Sequence, residues 1–136
     1  EMYTKKIQIE ARVLGDLAMN HIIPVATQYQ SDLIDNVYKM KDLFPAEKAA
    51  KLSAKNLELI EEIADRTTFI KEHVDTMIEA RKVANHMDNY KDKAFAYEET
   101  VRPYLESIRE HIDNLEMEID DEIWPLPKYR ELLFTK

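Results

Sequence analysis

The fold is decided by residues 46–84, which read AEKAAKLSAKNLELIEEIADRTTFIKEHVDTMIEARKVA. Positions of one face recur mostly at steps of three or four, which is the spacing of an amphipathic helix. The stretch contains neither Gly nor Pro, so it predicts one unbroken helix of about 40 residues. The positions of that face are Ala49, Leu52, Leu57, Ile60, Ala64, Thr67, Ile70, Val74, Met77, Arg81 and Ala84.

The segment before it has the same periodicity and two irregularities. Pro24 lies inside it, where proline cannot donate to the carbonyl four residues back, so we expect a kink or a break into two helices there. Gly15 is also interior, and because glycine weakens a helix it predicts close packing of another element. The positions of the apolar face are Ile7, Ala11, Leu14, Ala18, Ile22, Val25, Tyr29, Leu33, Val37, Met40 and Phe44.

A third helical segment follows a break at residues 85–89, where Asp88 or Asn89 is expected to cap it. Pro103 is expected to kink or restart this segment, and Pro125 and Pro127 to end it, with a short last helix over residues 128–134. Pro45 is expected in the first turn of the second segment. The sequence therefore predicts an all-α fold, an elongated antiparallel bundle of three to four long helices forming a single domain over residues 1–136. The apolar positions of this third segment are Ala94, Tyr97, Val101, Leu105, Ile108, Ile112, Leu115 and Ile119.

Composition excludes several classes of function. A single Gly argues against sheet-rich folds and glycine-rich phosphate loops, and the lack of Cys removes disulfides, thiol nucleophiles and cysteine-based metal sites. The net charge of -8 disfavours nucleic acid and anionic membranes as partners. No apolar run reaches the length of a membrane span, and no signal peptide is recognisable. Because Glu1 is not an initiator, we expect either a piece of a longer protein or a residue left by cloning.

The last third of the chain carries most of the negative charge. The acidic side chains there lie mostly opposite the apolar face, which predicts a solvated helix surface and, as the sharper alternative, a docking surface for a basic partner. A cation site is the weakest interpretation, because the carboxylates follow a helix instead of being gathered by a loop. These side chains are Glu106, Glu110, Asp113, Glu116, Asp120 and Asp121.

The four histidines form no recognisable metal or catalytic motif. None of His21, His73, His86 and His111 has the Glu three residues earlier that a di-metal bundle requires, and a His-Glu-x-x-His motif is absent. His21 lies near the buried stripe beside Pro24, so we expect a packed histidine that satisfies a local carbonyl, or a contact with another part of a larger protein. The sequence predicts no catalytic, cofactor-binding or metal-binding residue on this chain.

Two long motifs resemble one enzyme family. Residues 10–24, EARVLGDLAMNHIIP, resemble the opening of the C-terminal region of type III glutamine synthetases, and residues 124–134, WPLPKYRELLF, resemble their extreme C-terminus. Residues 57–63 and 77–85 are similar to the same family. The resemblance therefore spans nearly the whole chain. The residues that we single out for packing or docking are Gly15, His21, Pro24, Trp124, Pro125, Pro127, Tyr129 and Phe134.

The resemblance implies the C-terminal part of a cytoplasmic, ATP-dependent ligase that joins ammonia to glutamate through γ-glutamyl phosphate. In that family Mg²⁺ or Mn²⁺ organises the phosphates, the catalytic parts lie upstream, and the assembly is a dodecamer of two stacked hexamers. The implied partners are the catalytic domain of the same chain and neighbouring subunits, and the implied role is structural. A free-standing helical module for signalling or ligand binding, and a regulatory site for a small protein or metabolite, stay open as alternatives.

Overall fold

The computed structural model describes residues 2–119, and all of their regular structure is helical. The first rod of the bundle consists of α1 (Met2–Leu17), a π-helical segment (Ala18–Ile22) and α2 (Ile23–Leu43). The second rod is α3 (Ala46–Asn85) alone. The third rod consists of α4 (Tyr90–Ala96), a second π-helical segment (Tyr97–Val101) and α5 (Arg102–Glu118). The predicted all-α bundle is therefore confirmed.

Both π segments directly precede an X-Pro pair, and the two prolines explain them. Pro24 and Pro103 have no N–H to donate, and in an α-helix each ring would collide with the carbonyl four residues back. A π turn moves that carbonyl away, because hydrogen bonds there span five residues: Ile23 N–H donates to the carbonyl of Ala18, and Arg102 N–H to that of Tyr97. The interruption expected at Pro24 is thus a local change of helix type, and the first rod continues through it.

The ends of the helices follow from local chemistry. Asn89 caps α4, since its side-chain oxygen accepts from the backbone N–H of Lys91 at 2.8 Å and of Asp92 at 3.3 Å. Pro45 stands one residue before α3 instead of in its first turn, and its carbonyl accepts from the N–H of Ala49 at 2.9 Å. The unbroken 40-residue helix expected after it is confirmed.

Polar contacts fix how the rods are paired. In the first pair, Gln30 Nε2 donates to the carbonyl of Ile60 at 2.9 Å, so the first and second rods are antiparallel. The second and third rods are antiparallel as well, since Asn85, at the end of α3, accepts from the Tyr97 hydroxyl. Tyr3 donates to Glu98 at 2.9 Å, so the first and third rods start at the same end. This arrangement places α1 and α5 side by side against α3.

The core occupies one end of the bundle. It is built from all three rods, and on α2 its buried positions stop at Ala26, while on α3 the continuous buried face begins at Ile63. Residues 27–62 form a two-helix extension, here called the arm, in which Ala49 and Ser53 are the only buried positions. Burial stops there because the third rod, as far as it is described, ends at the same level. The largest fully buried side chains are Tyr97, Ile22, Ile63, Ile70, Met77, Ile108, Leu115, Ile119, Val74 and Val101.

Candidate docking surfaces

The residues singled out in the first rod have different surroundings. Gly15 is buried against α3, and a Cβ there would stand 3.7 Å from Val74 Cγ1 and 3.8 Å from Met77 Cε. Helix α3 therefore packs close to Gly15, as expected, but it leaves room for a methyl group at this position. His21 and Pro24 are both exposed. The exposed His21 side chain contradicts the expectation of packing within this chain, and the expected contact with another part of a larger protein stays a prediction.

The remaining predicted docking residues lie outside the described part of the chain. They are Trp124, Pro125, Pro127, Tyr129 and Phe134, and the short helix expected over residues 128–134 falls in the same part. Of the predicted acidic surface, Glu106, Glu110 and Asp113 are exposed, and Asp120 and Asp121 lie outside the described residues. Glu116 is buried, which corrects the expectation of a solvated side chain at that position.

A concave apolar surface lies on one side of the arm, and we call it the arm groove. It encloses about 460 Å³ between the second half of α2 and the first half of α3. Its α2 wall contains Ile34, Val37 and Tyr38, and its α3 wall contains Leu57 and Ile60. Small side chains form its floor near the tip of the arm, at Ala46, Ala49 and Ala50, and Lys41 stands at its rim.

Ser53 is the unusual member of the arm groove. Its side chain is 2% exposed, and its hydroxyl has no hydrogen-bond partner among the described residues. A buried hydroxyl without a partner costs about 1–3 kcal/mol, so such an atom needs an explanation. In a groove lined by apolar side chains, it marks a place where an approaching polar group would be favoured.

A cluster of charged side chains joins α3 to the last turns of α5. Arg66 lies at its centre: its Nε donates to Glu118 Oε1 at 3.3 Å, and its second amino group to Glu62 Oε1 at 3.0 Å. Its remaining amino group stands 3.2 Å from Nδ1 of His111. Because a guanidinium can only donate, Nδ1 must accept, which requires the neutral ring. Burial and the neighbouring Arg66 lower the pKa of His111, in agreement with that assignment.

The two carboxyl groups of this cluster behave differently. The Glu118 side chain is 16% exposed, and burial, followed by the hydrogen bond and charge of Glu62, raises its pKa to about 7. Glu62 is 47% exposed, and hydrogen bonds from Glu118 and Arg66 lower its pKa. Glu118 Oε2 is buried and accepts no hydrogen bond from the described residues. These observations agree if Glu118 holds a proton on that oxygen and donates it to Glu62.

Aromatic rings continue the same seam between α3 and α5. Phe69 stands between two imidazoles, with ring centroids 3.6 Å from His73 and 3.8 Å from His111. His73 also meets the edge of Tyr104 and approaches the Ser107 hydroxyl at 3.4 Å. Two of the four histidines are therefore used in packing. Within residues 2–119, no three His, Asp or Glu side chains are grouped so that they could hold a metal ion.

Sequence reasoning missed the arm groove and the Arg66 cluster. The i, i+4 spacing of Glu62 and Arg66 could have predicted their ion pair. Glu118 is 52 residues from Arg66, so no local sequence pattern predicts that contact. The arm groove had a signal in Val37, Leu57 and Ile60, which all lie on predicted apolar faces. No described helix is both long enough and apolar enough to cross a membrane.

Comparison with known proteins gives a consistent family. A family model described as "Glutamine synthetase C-terminal domain" matches residues 1–41. Over its full length the chain is 67% identical to a protein named "Glutamine synthetase" from Bacteroides fragilis (strain YCH46), of which it covers 19%. It is 24% identical, again over its full length, to a "Type-3 glutamine synthetase" from Dictyostelium discoideum, of which it covers 18%. The chain thus spans about a fifth of the length of these curated relatives.

Proposed function

We propose that this chain, which is similar to the C-terminal part of glutamine synthetases, is a non-catalytic docking domain of a type III glutamine synthetase. The whole enzyme would be a cytoplasmic glutamate–ammonia ligase that uses ATP and Mg²⁺ or Mn²⁺. Residues 1–136 would form one helical domain, and the chemistry would take place in the catalytic part of the same chain. The domain would pack against that part or against a neighbouring subunit of a dodecamer.

The arm groove is the observation that carries this proposal. An apolar surface on a monomer usually marks an interaction site when it is contiguous and concave. Here it is combined with the buried hydroxyl of Ser53, which a partner's polar group would satisfy. A helical hairpin that projects from its own core has the shape of a docking element, because both helices present side chains beyond the body of the domain.

The experiment uses the full-length enzyme with Leu57→Asp in the arm groove. Leu57 is half exposed in the domain, so the substitution should leave the fold intact while it places a charge in the proposed contact. Val83→Asp is the matched control, because Val83 is an exposed apolar side chain on the same helix and lies outside the arm. We expect Leu57→Asp to reduce the assembly measured by light scattering, and its ligase activity, while Val83→Asp preserves both.

Two results would contradict this function. If Leu57→Asp and Val83→Asp leave both assembly and activity at the wild-type level, the arm groove is not the docking surface. If residues 1–136 alone form glutamine from glutamate, ammonia and ATP, the domain is not a non-catalytic one.

A regulatory ligand site is the second candidate function, because the volume of the arm groove favours it. About 460 Å³ lies in the range of small-molecule sites, and Lys41 at the rim would favour an anionic group. Calorimetric titration of the 136-residue chain, which would lack the catalytic site, with glutamate, glutamine and 2-oxoglutarate distinguishes the two. Binding that is abolished by Leu57→Asp, with assembly intact, would support the regulatory site, and binding that is insensitive to the substitution would count against it.

A further inference from the structure

The α5-facing side of α3 continues along the arm beyond the last described residues of α5. Arg66 and His73, which contact α5, are seven residues apart, and the same spacing leads back to Leu59 and Leu52. Residues spaced by seven lie nearly on one side of a helix. Lys55 falls between Leu52 and Leu59, and Lys48 lies four residues before Leu52, so the series has steps of three and four. We call Lys48, Leu52, Lys55 and Leu59 the extension face of the arm.

The extension face is distinct from the arm groove. Leu57 of the arm groove is two residues from Leu59, about 200° around the helix, since each residue turns the chain by about 100°. A partner in the arm groove therefore leaves the extension face open. Leu59 is partly buried against the end of the core, whereas Leu52, farther out, is 50% exposed.

We propose that residues 120–136 of this chain dock on the extension face and so continue the third rod along the arm. Ile119 is buried, and α5 ends one residue earlier at the level of Arg66 and Glu62, where the extension face begins. The residues after Ile119 would therefore start beside this face. The direction of α5 makes it the first surface that this chain meets.

Length and composition both fit this occupant. From Glu62 to Ala46 the arm measures about 24 Å at 1.5 Å per residue. The 17 residues after Ile119 could span about 56 Å if fully extended, so they reach the tip of the arm with length to spare. Their apolar side chains would cover Leu52, which is 50% exposed, and the remaining exposed part of Leu59. The apolar side chains of this segment are Ile123, Trp124, Leu126, Leu132, Leu133 and Phe134.

Charge also favours this segment over an arbitrary apolar partner. Residues 120–122 are Asp-Asp-Glu, and three extended residues cover about 10 Å. That distance leads from the level of Glu62 to that of Lys55, about seven helical residues away. The acidic triplet would therefore come beside Lys55, beyond Arg66, whose charge is already paired with Glu62 and Glu118.

Trp124 is the single tryptophan of the chain and reports directly on this contact. In the 136-residue chain its emission should lie to the blue of the urea-unfolded chain. Leu52→Asp should shift it to the red and increase its quenching by acrylamide. Leu57→Asp is the matched control, since Leu57 is 48% exposed and lies in the arm groove, and it should leave the emission unchanged.

Charge reversal supplies a second pair of variants that leaves the apolar contacts in place. Lys55→Glu should shift the emission of Trp124 to the red, while Lys41→Glu, at the rim of the arm groove, should not. Equal responses within both pairs, or an unsubstituted chain whose emission already matches that of the unfolded chain, would overturn the proposal. Emission that moves to the blue with rising protein concentration would overturn it in favour of a second copy on this face.

Discussion

Replacement of Glu118 by glutamine tests the proton that we assign to the Arg66 cluster. The amide of Glu118→Gln has nearly the shape of a protonated carboxyl group, and it can donate to Glu62 and accept from Arg66 as that group does. It cannot ionise. The substitution therefore preserves the neutral form of the cluster at every pH and removes only the charged form.

The size of the effect follows from the pKa of Glu118. A carboxyl group whose pKa rises from 4.5 to about 7 on folding binds more protons in the folded state, so its contribution favours folding at low pH and is lost as the pH rises between these values. The full difference corresponds to about 3 kcal/mol, at 1.36 kcal/mol for each pH unit. Glu62 acts below this window, because its lowered pKa removes stability only when the pH falls beneath its ordinary value of 4.5.

The assay is urea unfolding of the 136-residue chain at pH 5, 6, 7 and 8, compared with the Glu118→Gln variant. The variant should already be more stable by about 1 kcal/mol at pH 5 and by about 3 kcal/mol at pH 8, so the difference should grow with pH. His111, whose lowered pKa makes stability rise with pH, is present in both chains and cancels in the difference. Glu58→Gln, which removes an exposed carboxylate one turn before Glu62, is the matched control.

Two outcomes would refute this reasoning. A constant difference between Glu118→Gln and the unsubstituted chain across the pH range would mean that Glu118 does not titrate there. A variant that is less stable at pH 8 would mean that the charged pair of Glu118 and Arg66 stabilises the fold, which would place the proton elsewhere.

Three further substitutions probe the packing and the helix ends by urea unfolding. Gly15→Ala should stabilise by about 0.5–1 kcal/mol, because the added methyl finds ordinary contact distances and the helix gains propensity; a loss of stability would show that α1 and α3 cannot admit it. Asn89→Ala should cost about 1 kcal/mol through the lost cap, whereas Asp88→Ala should change stability by less than about 0.5 kcal/mol; equal effects would contradict the capping role. Leu115→Ala should cost about 2–5 kcal/mol, against less than about 0.5 kcal/mol for Leu43→Ala at the exposed tip.

Local signals predicted most of the fold. The absence of Gly and Pro over residues 46–84 predicted α3, and Asn89 was recognisable as a cap because capping depends on neighbouring backbone groups. Pro24 predicted that the α-helix is interrupted, but it could not predict whether by a kink or by a π turn, because both relieve the same clash. The placement of His21 failed for the same reason, because a count of about 100° per residue no longer applies within a π turn.

The docking surfaces were less accessible to sequence reasoning than the helices. An apolar stripe shows which side chains avoid water, but not where along a rod the third helix stops covering it. Leu52 and Ile63 lie on nearly the same side of one helix and are both apolar, yet Ile63 is fully buried and Leu52 is 50% exposed, because α5 reaches the level of Ile63 and not that of Leu52. That difference depends on the pairing of helices more than 50 residues apart in the chain.

In each π segment, the extra residue of the π turn and the proline that follows it depend on each other. A π turn holds one residue more than an α turn, so it is equivalent to a single-residue insertion that leaves the faces on either side in phase. Loss of one exposed residue, such as His21, would restore an ordinary helix and bring the ring of Pro24 back against a carbonyl. If only the proline were replaced, the π turn would remain although no proline ring would clash with a carbonyl in an ordinary α-helix. In related sequences, a one-residue gap in this segment should therefore accompany the replacement of Pro24, and the second π segment should show the same covariation with Pro103.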